Sequence, residues 1–157
     1  LIITNFESAL AVHVILTAFI PMLMDTGGNS GSQSSVTIIR AISLGEVEFK
    51  DIGRVVLKEF LTSLMCGLAL SIACFAKVML VDGLLFQNAS VTFMVAFSVS
   101  LTMCLTVVIA KLIGCTLPLV AKKIGFDPAV MASPFITTIV DALSLLIYFA
   151  IATAILF

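Results

Sequence analysis

Apolar and polar positions are segregated into long blocks along the chain. The first apolar block runs from about Ala9 to Met24, with Pro21 near its end. Three more follow, from about Phe60 to Leu80, Val91 to Ala110 and Ala129 to Phe157. Each of these three reaches the roughly 20 residues that an α-helix needs to cross a bilayer. The Val91 block can continue past Lys111 to Val120, because a lysine near a helix end lifts its ammonium to the interface. The first block is long enough if it runs on into the polar stretch behind it. The pattern predicts an all-α integral membrane fold with four complete transmembrane helices, over about 9–27, 59–80, 91–117 and 128–157. Leu1 to Phe6 read as the trimmed end of an earlier helix, and 1–157 as a single transmembrane domain.

The polar blocks are informative in their own right. Thr26-Gly27-Gly28-Asn29-Ser30-Gly31-Ser32-Gln33 directly abuts the first apolar block. Irregular backbone at membrane depth survives only where it lines a cavity or is buried in protein. One reading is therefore a kinked helix end at an ion mouth, where Asn29 and Gln33 offer amide oxygens beside Gly28 and Gly31. The other is an ordinary cytoplasmic turn, and composition supports both equally. Ser34 to Lys58 is amphipathic, Asp82 to Ser90 is a short link, and Lys122 to Pro128 forms the next break. Pro128 suits the first turn of a helix. Basic residues gather at Arg40, Lys50, Arg54 and Lys58 and again at Lys111, Lys122 and Lys123. The positive-inside rule then puts residues of about 25–59 and 111–127 in the cytoplasm. The N-terminus, the Asp82–Ser90 link and the C-terminus face out.

Composition agrees with lipid as the solvent. Of 157 residues, 61% are hydrophobic and 11% charged, and the mean hydropathy is +1.27. A soluble domain carries about 25% charged residues. The net charge of −1 leaves no basic footprint for nucleic acid. Cys66, Cys74, Cys104 and Cys115 lie in or beside apolar runs without a Cys-x-x-Cys spacing, so they read as small packing residues. The only histidine, His13, reads as a hydrogen-bonded interior residue.

Asp141 carries the strongest chemical signal. It lies about 12 residues, or roughly 18 Å, into the last apolar block, near mid-membrane. A carboxylate there costs at least about 2.5–3.5 kcal/mol unless it meets water, a cation or a partner. Ser133, Thr137, Ser144 and Tyr148 share its helical face, making a polar stripe of the kind that lines a pore. The alternative is a hydrogen-bonded acid that ties helices together. Two further stripes, Ser98-Thr102-Thr106-Ala110-Gly114 and Ser63-Gly67-Ser71, read as packing seams of small residues.

Gly28-Asn29-Ser30-Gly31 looks like the serine motif of rhomboid proteases. A serine nucleophile needs an adjacent base, and His13 precedes Ser30 by a helical distance of about 25 Å. Protease chemistry is excluded, and no enzyme is expected.

A wider spaced pattern resembles the membrane domain of the MgtE family of magnesium channels. It runs Pro21…Gly27-Gly28-Asn29-x-Gly31-x-Gln33…Ile39-Arg40-Ala41…Gly45-Glu46-Val47. Asp127-Pro128-Ala129 and Thr137-Thr138-Ile139-Val140-Asp141-Ala142 extend it over the last block, and Asn5-Phe6-Glu7 looks like the end of the family's first span. The resemblance implies a homodimer of five-helix protomers with a cation path on the two-fold axis. It also implies that Asp141 is the central acid, with a carbonyl at Thr137 one turn earlier. The family's cytoplasmic regulatory domains have no counterpart in these residues.

The chemistry suits that expectation. Mg²⁺ is usually held by one or two carboxylates with several waters retained, and Asp141 with Ser133 and Thr137 oxygens could supply such a site. A divalent cation gains about 4.6 kcal/mol per 100 mV, so passive flow suffices. The expectation is an Mg²⁺-permeable channel domain in the cell membrane. Its rivals are a cation-coupled transporter or exchanger using Asp141, and a non-transporting membrane anchor.

Overall fold

The computed structural model describes residues 2–5, 14–131 and 133–156, apart from the side chains of Thr4, Asn5, Met131 and Ser133. His13 and Glu7 lie outside the described residues. All regular structure among the described residues is helical, with α1 at Ile2–Asn5, α2 at Ile15–Ser43, α3 at Ile52–Lys77, α4 at Phe93–Lys123 and α5 at Ser133–Leu156. Short 3-10 turns at Phe49–Asp51 and Pro128–Met131 lead into α3 and α5. Beyond α3, Val78–Leu85 is wound as a π-helix. Among the described residues, Phe49–Leu85, Phe93–Lys123 and Pro134–Leu156 are long and apolar enough to cross a membrane.

The sequence led to an expectation of four such helices, and α2 is the exception. It is 29 residues long, but Asp25 and the Thr26–Gln33 stretch make it too polar to count by composition. That stretch is also where the fold corrects the sequence reading. It is neither a turn nor a kinked helix end, because α2 runs through it unbroken to Ser43. Glycine weakens a helix in water by about 0.5–1 kcal/mol. Here the loss is offset by packing, since Gly27, Gly28, Ser30 and Gly31 are all buried.

The helix stops where the backbone turns left-handed. Gly45 has φ +73°, its N–H donates to the Ile42 carbonyl, and Glu46 N–H donates to the Ala41 carbonyl. Gly125, φ +87°, ends α4 in the same way through Lys122 and Ala121. This is the C-terminal glycine cap that closes off the last helical carbonyls.

α4 is the central post, packed by α2, α3 and α5, and α2 also lies along α5. Ser98, Thr102, Thr106 and Ala110 of α4 are buried, as expected of a seam. The tightest approach is at Gly114, where an added Cβ would collide with the Gly31 carbonyl. Pro118, one turn later, lacks the N–H that would bond the Gly114 carbonyl. Ser34 Oγ donates across the seam to the Lys111 carbonyl at 3.1 Å. The second seam joins α3 to α4, with Gly67 against the Cys104 backbone and Ser71 Oγ donating to the Ser100 carbonyl at 2.8 Å.

The main core gathers Leu16, Phe19 and Leu23 of α2 with Val95, Val99 and Met103 of α4 and Tyr148 and Phe149 of α5. Tyr148 Oη donates to the Leu16 carbonyl at 2.9 Å, which satisfies a hydroxyl that lipid or core could not. α3 buries only Ser63, Gly67 and Cys74. Its outer face, including Leu61, Met65, Leu68 and Ile72, is exposed, as suits a helix solvated by acyl chains. All four cysteines are free, with Cys74 and Cys115 buried.

The two poles of the bundle differ in charge. At one, Lys123 lies over the Phe49 ring at 3.9 Å, so the α2–α3 loop meets the end of α4. At the other, Lys77 pairs with Asp82 at 2.7 Å and reaches over the Phe19 ring at 5.7 Å. The basic loops thus share one pole.

Candidate functional site

α2 and α5 lie side by side, and between them opens a cavity of about 150 Å³. Its lining comes from Met24, Asp25, Gly28 and Asn29 of α2 and Thr137 and Asp141 of α5. Asp25, Gly28 and Asn29 follow a helix spacing of three and four, which puts them on one face of α2. Thr137 and Asp141 are one turn apart on α5 and do the same. Gly28 sets the closeness of approach. A Cβ there would stand 3.2 Å from Thr137 Cγ2 and 3.5 Å from Asp141 Oδ1. The glycine therefore lets α2 backbone lie directly against the acid.

Charge in this cavity is one-sided. Among the described residues two carboxylates line it, and no lysine or arginine does. Neither Asp25 nor Asp141 forms an ion pair among the described residues. Like charges in a low-dielectric wall repel each other and draw in a counter-ion. Asp141 is half-buried, and it also borders a second cleft with Ile2, Ile3, Met24, Ala142 and Leu145. Among the described residues no three His, Cys, Asp or Glu side chains cluster as a tightly chelating metal site requires. What the cavity offers is two carboxylates, an amide and a threonine, a donor set suited to an ion that keeps part of its water.

The residues singled out from the sequence fall into three groups. Asp141, Thr137, Asn29 and Gly28 meet in this cavity. Gly31 lies away from it, packed on Ile136, Val140 and the Ala110 carbonyl. Gln33 is exposed and lines a different crevice, toward α3. The side chain of Ser133 lies outside the described residues.

The single polar stripe expected along α5 divides in two. Thr137 and Asp141 face the cavity, whereas Ser144 and Tyr148 are buried in the core. Ser144 Oγ donates to the Val140 carbonyl at 2.7 Å and sits where a Gly27 side chain would be. The difference lies in what covers each pair: Thr137 and Asp141 stand beside Asp25 and Asn29 in the open cavity, whereas Ser144 packs against Gly27 and Tyr148 reaches the Leu16 carbonyl.

Asp25 is the lining residue that the sequence reading passed over. It stands at the end of an apolar block, where an acid reads as a boundary. The signal that would have found it is the Asp25-Gly28-Asn29 helical spacing, visible once the glycine-rich stretch is taken as helix.

Comparison with known proteins gives the family. The family model for MgtE, described as a divalent cation transporter, matches residues 20–151. The magnesium transporter MgtE of Bacillus subtilis is 40% identical over 153 residues, covering 98% of this chain and 32% of that protein. The magnesium transporter MgtE of Enterococcus faecalis is 35% identical over 152 residues, 97% of this chain and 32% of its own length. For the Thermus thermophilus protein of the same name the identity is 36% over 155 residues, 99% of this chain and 32% of the relative. The chain thus spans about a third of the length of the curated relatives it matches. Matched across its apolar helices to a family of transporters rather than enzymes, it is a multi-pass membrane protein. The chain belongs to the MgtE family of divalent cation transporters.

Proposed function

We propose that this chain forms the ion-conducting unit of a Mg²⁺ channel, in which Asp141 and Asp25 hold a hydrated divalent cation as it passes. The observation that carries this reading is the cavity between α2 and α5. Among the described residues it brings two carboxylates together with Asn29 and Thr137, is lined by no basic side chain, and is bordered by Gly28, whose lack of a side chain lets α2 lie close to α5. Its net charge favours cations and repels anions. Its small size and few donors suit Mg²⁺, which dehydrates reluctantly and keeps several waters.

In this reading α2 is the fourth span and lines the path with α5, its polar face turned away from lipid. α1 is the end of an earlier helix. Two copies of the chain face each other through α2 and α5, so that paired Asp141 carboxylates flank a two-fold axis. Support comes from the half-exposed position of Asp141 and from the cleft beside it. An acid at this depth is stable only beside water, a cation or another subunit. The pole carrying the basic loops is cytoplasmic.

Purified protein in proteoliposomes tests the reading directly. An inward Mg²⁺ gradient should drive flux and electrical current without any counter-ion. Current that demands an exchanged ion would point to a carrier. Flux unchanged in Asp141→Asn would remove the site.

A further inference from the structure

The two seams of the bundle leave one side unfilled. α3 packs along α4 and hardly meets α2, so a crevice of about 580 Å³ opens between α2 and α3 toward the basic pole. Ligand sites commonly fall between about 300 and 1,000 Å³. Charged groups line it from α3, the α2–α3 loop and α4. They are Arg54, Lys58 and Glu59 of α3, Glu46 of the loop and Lys111 of α4. Lys111 is committed to Glu59 at 2.9 Å, both side chains being largely buried. Arg54 and Lys58 are exposed and have no ion-pair partner among the described residues. With the Lys111–Glu59 pair neutral, Arg54 and Lys58 outweigh Glu46.

The surroundings point to one kind of occupant. At the basic pole an apolar cluster of Ile38, Ile42, Cys115 and Leu119, with Val47 and Val55 packed on it, joins α2, α4 and the start of α3, and Ile38, Val47 and Val55 also line the crevice. On α3, Lys58 and Thr62 continue at helical spacing into Met65, Ala69 and Ile72, all exposed. A ligand with a charged head at Arg54 and Lys58 would therefore lay its tails along an uncovered apolar ridge. A soluble anion has no use for that ridge. A basic pocket between spans, at the pole where both basic loops gather, is the geometry that holds anionic lipid heads.

We infer that the α2–α3 crevice is a binding site for an anionic phospholipid, its phosphate held by Arg54 and Lys58. This does not depend on the ion site, which lies on the opposite side of α2, between it and α5. The test is lipid binding to the purified chain in neutral detergent, comparing phosphatidylglycerol with phosphatidylcholine of the same acyl chains by native mass spectrometry. Phosphatidylglycerol should be retained and phosphatidylcholine lost. Arg54→Gln and Lys58→Gln should each weaken retention roughly fivefold, and together about 25-fold, from the contribution of one basic residue to lipid attraction. Glu46→Gln removes the opposing charge and should strengthen binding, which keeps the test sound if the double variant folds poorly. Equal retention of phosphatidylcholine, or an unchanged double variant, would overturn the site. So would competition by glycerol phosphate at the same affinity, which would mark a free-anion site. A change of oligomeric mass in the double variant would make the crevice a contact between copies instead.

Discussion

Asp25 on α2 and Asp141 on α5 line one cavity, and the missing side chain of Gly28 is what allows their helices to close on it. The two acids come from distant parts of the chain and belong to different helices. Among the described residues one protomer thus brings two carboxylates together, so the proposed ion site would not rest on Asp141 alone.

Asp141→Asn keeps the size and hydrogen-bonding capacity of the side chain while removing its charge. Mg²⁺ flux into proteoliposomes should fall about a hundredfold, the upper range for loss of a group that acts on a metal through its shell. The variant should elute from a sizing column as wild type does. Asp141→Glu should keep partial flux, because the charge survives but moves by about one methylene.

Asp25→Asn should reduce flux about tenfold at limiting Mg²⁺ and less at saturating Mg²⁺, since it weakens attraction without removing the second acid. Thr137→Ala should be milder, as water can take the place of one hydroxyl. Flux that ignores Asp25→Asn at every Mg²⁺ concentration would leave Asp141 as the sole acid of the path.

Two glycines make opposite predictions for thermal unfolding in detergent. Gly114→Ala drives a methyl into the Gly31 carbonyl, and overpacking of this kind costs about 1–3 kcal/mol. Gly53 lies in α3 with nothing within 4 Å of an added Cβ. Gly53→Ala should stabilise the protein by about 0.5–1 kcal/mol, by removing chain entropy from a helix position.

Tyr148→Phe removes the bond between its hydroxyl and the Leu16 carbonyl. Interhelical hydrogen bonds in membranes are worth about 0.6 kcal/mol on average, so a small loss of thermal stability is expected. A loss several times larger would show that the hydroxyl fixes the α2–α5 register as well.

A cysteine introduced at Glu48 should escape an impermeant thiol reagent in intact cells and react once the membrane is opened, whereas one at Gln87 should react in intact cells. The background protein needs its exposed native Cys66 replaced. Reversed labelling would turn the basic pole outward.

The apolar blocks made α3, α4 and α5 readable, because a span of that length has one outcome in lipid. The small-residue seams were readable for a related reason: Ser, Gly and Thr repeating every four residues leave a groove for a neighbour. α2 resisted. Thr26–Gln33 has the composition of a turn in water, and only burial against α4 and α5 makes it helix. Local composition does not contain that burial. Asp25 was lost with it, since an acid counts as part of a site only when the residues after it keep turning.

Because α2 keeps its winding through Thr26–Gln33, the backbone oxygens of that stretch already accept helical hydrogen bonds. A cation beside Gly28 and Asn29 finds no ring of open carbonyls to stand in for its water. The side chains present can attract it and order its shell, but they cannot strip it. On the proposed function, such a surface would sort ions by charge and by the size of the hydrated particle, with little response to bare radius. Monovalent ions would then be held too weakly to compete, while divalent ions with shells alike in size would pass on similar terms.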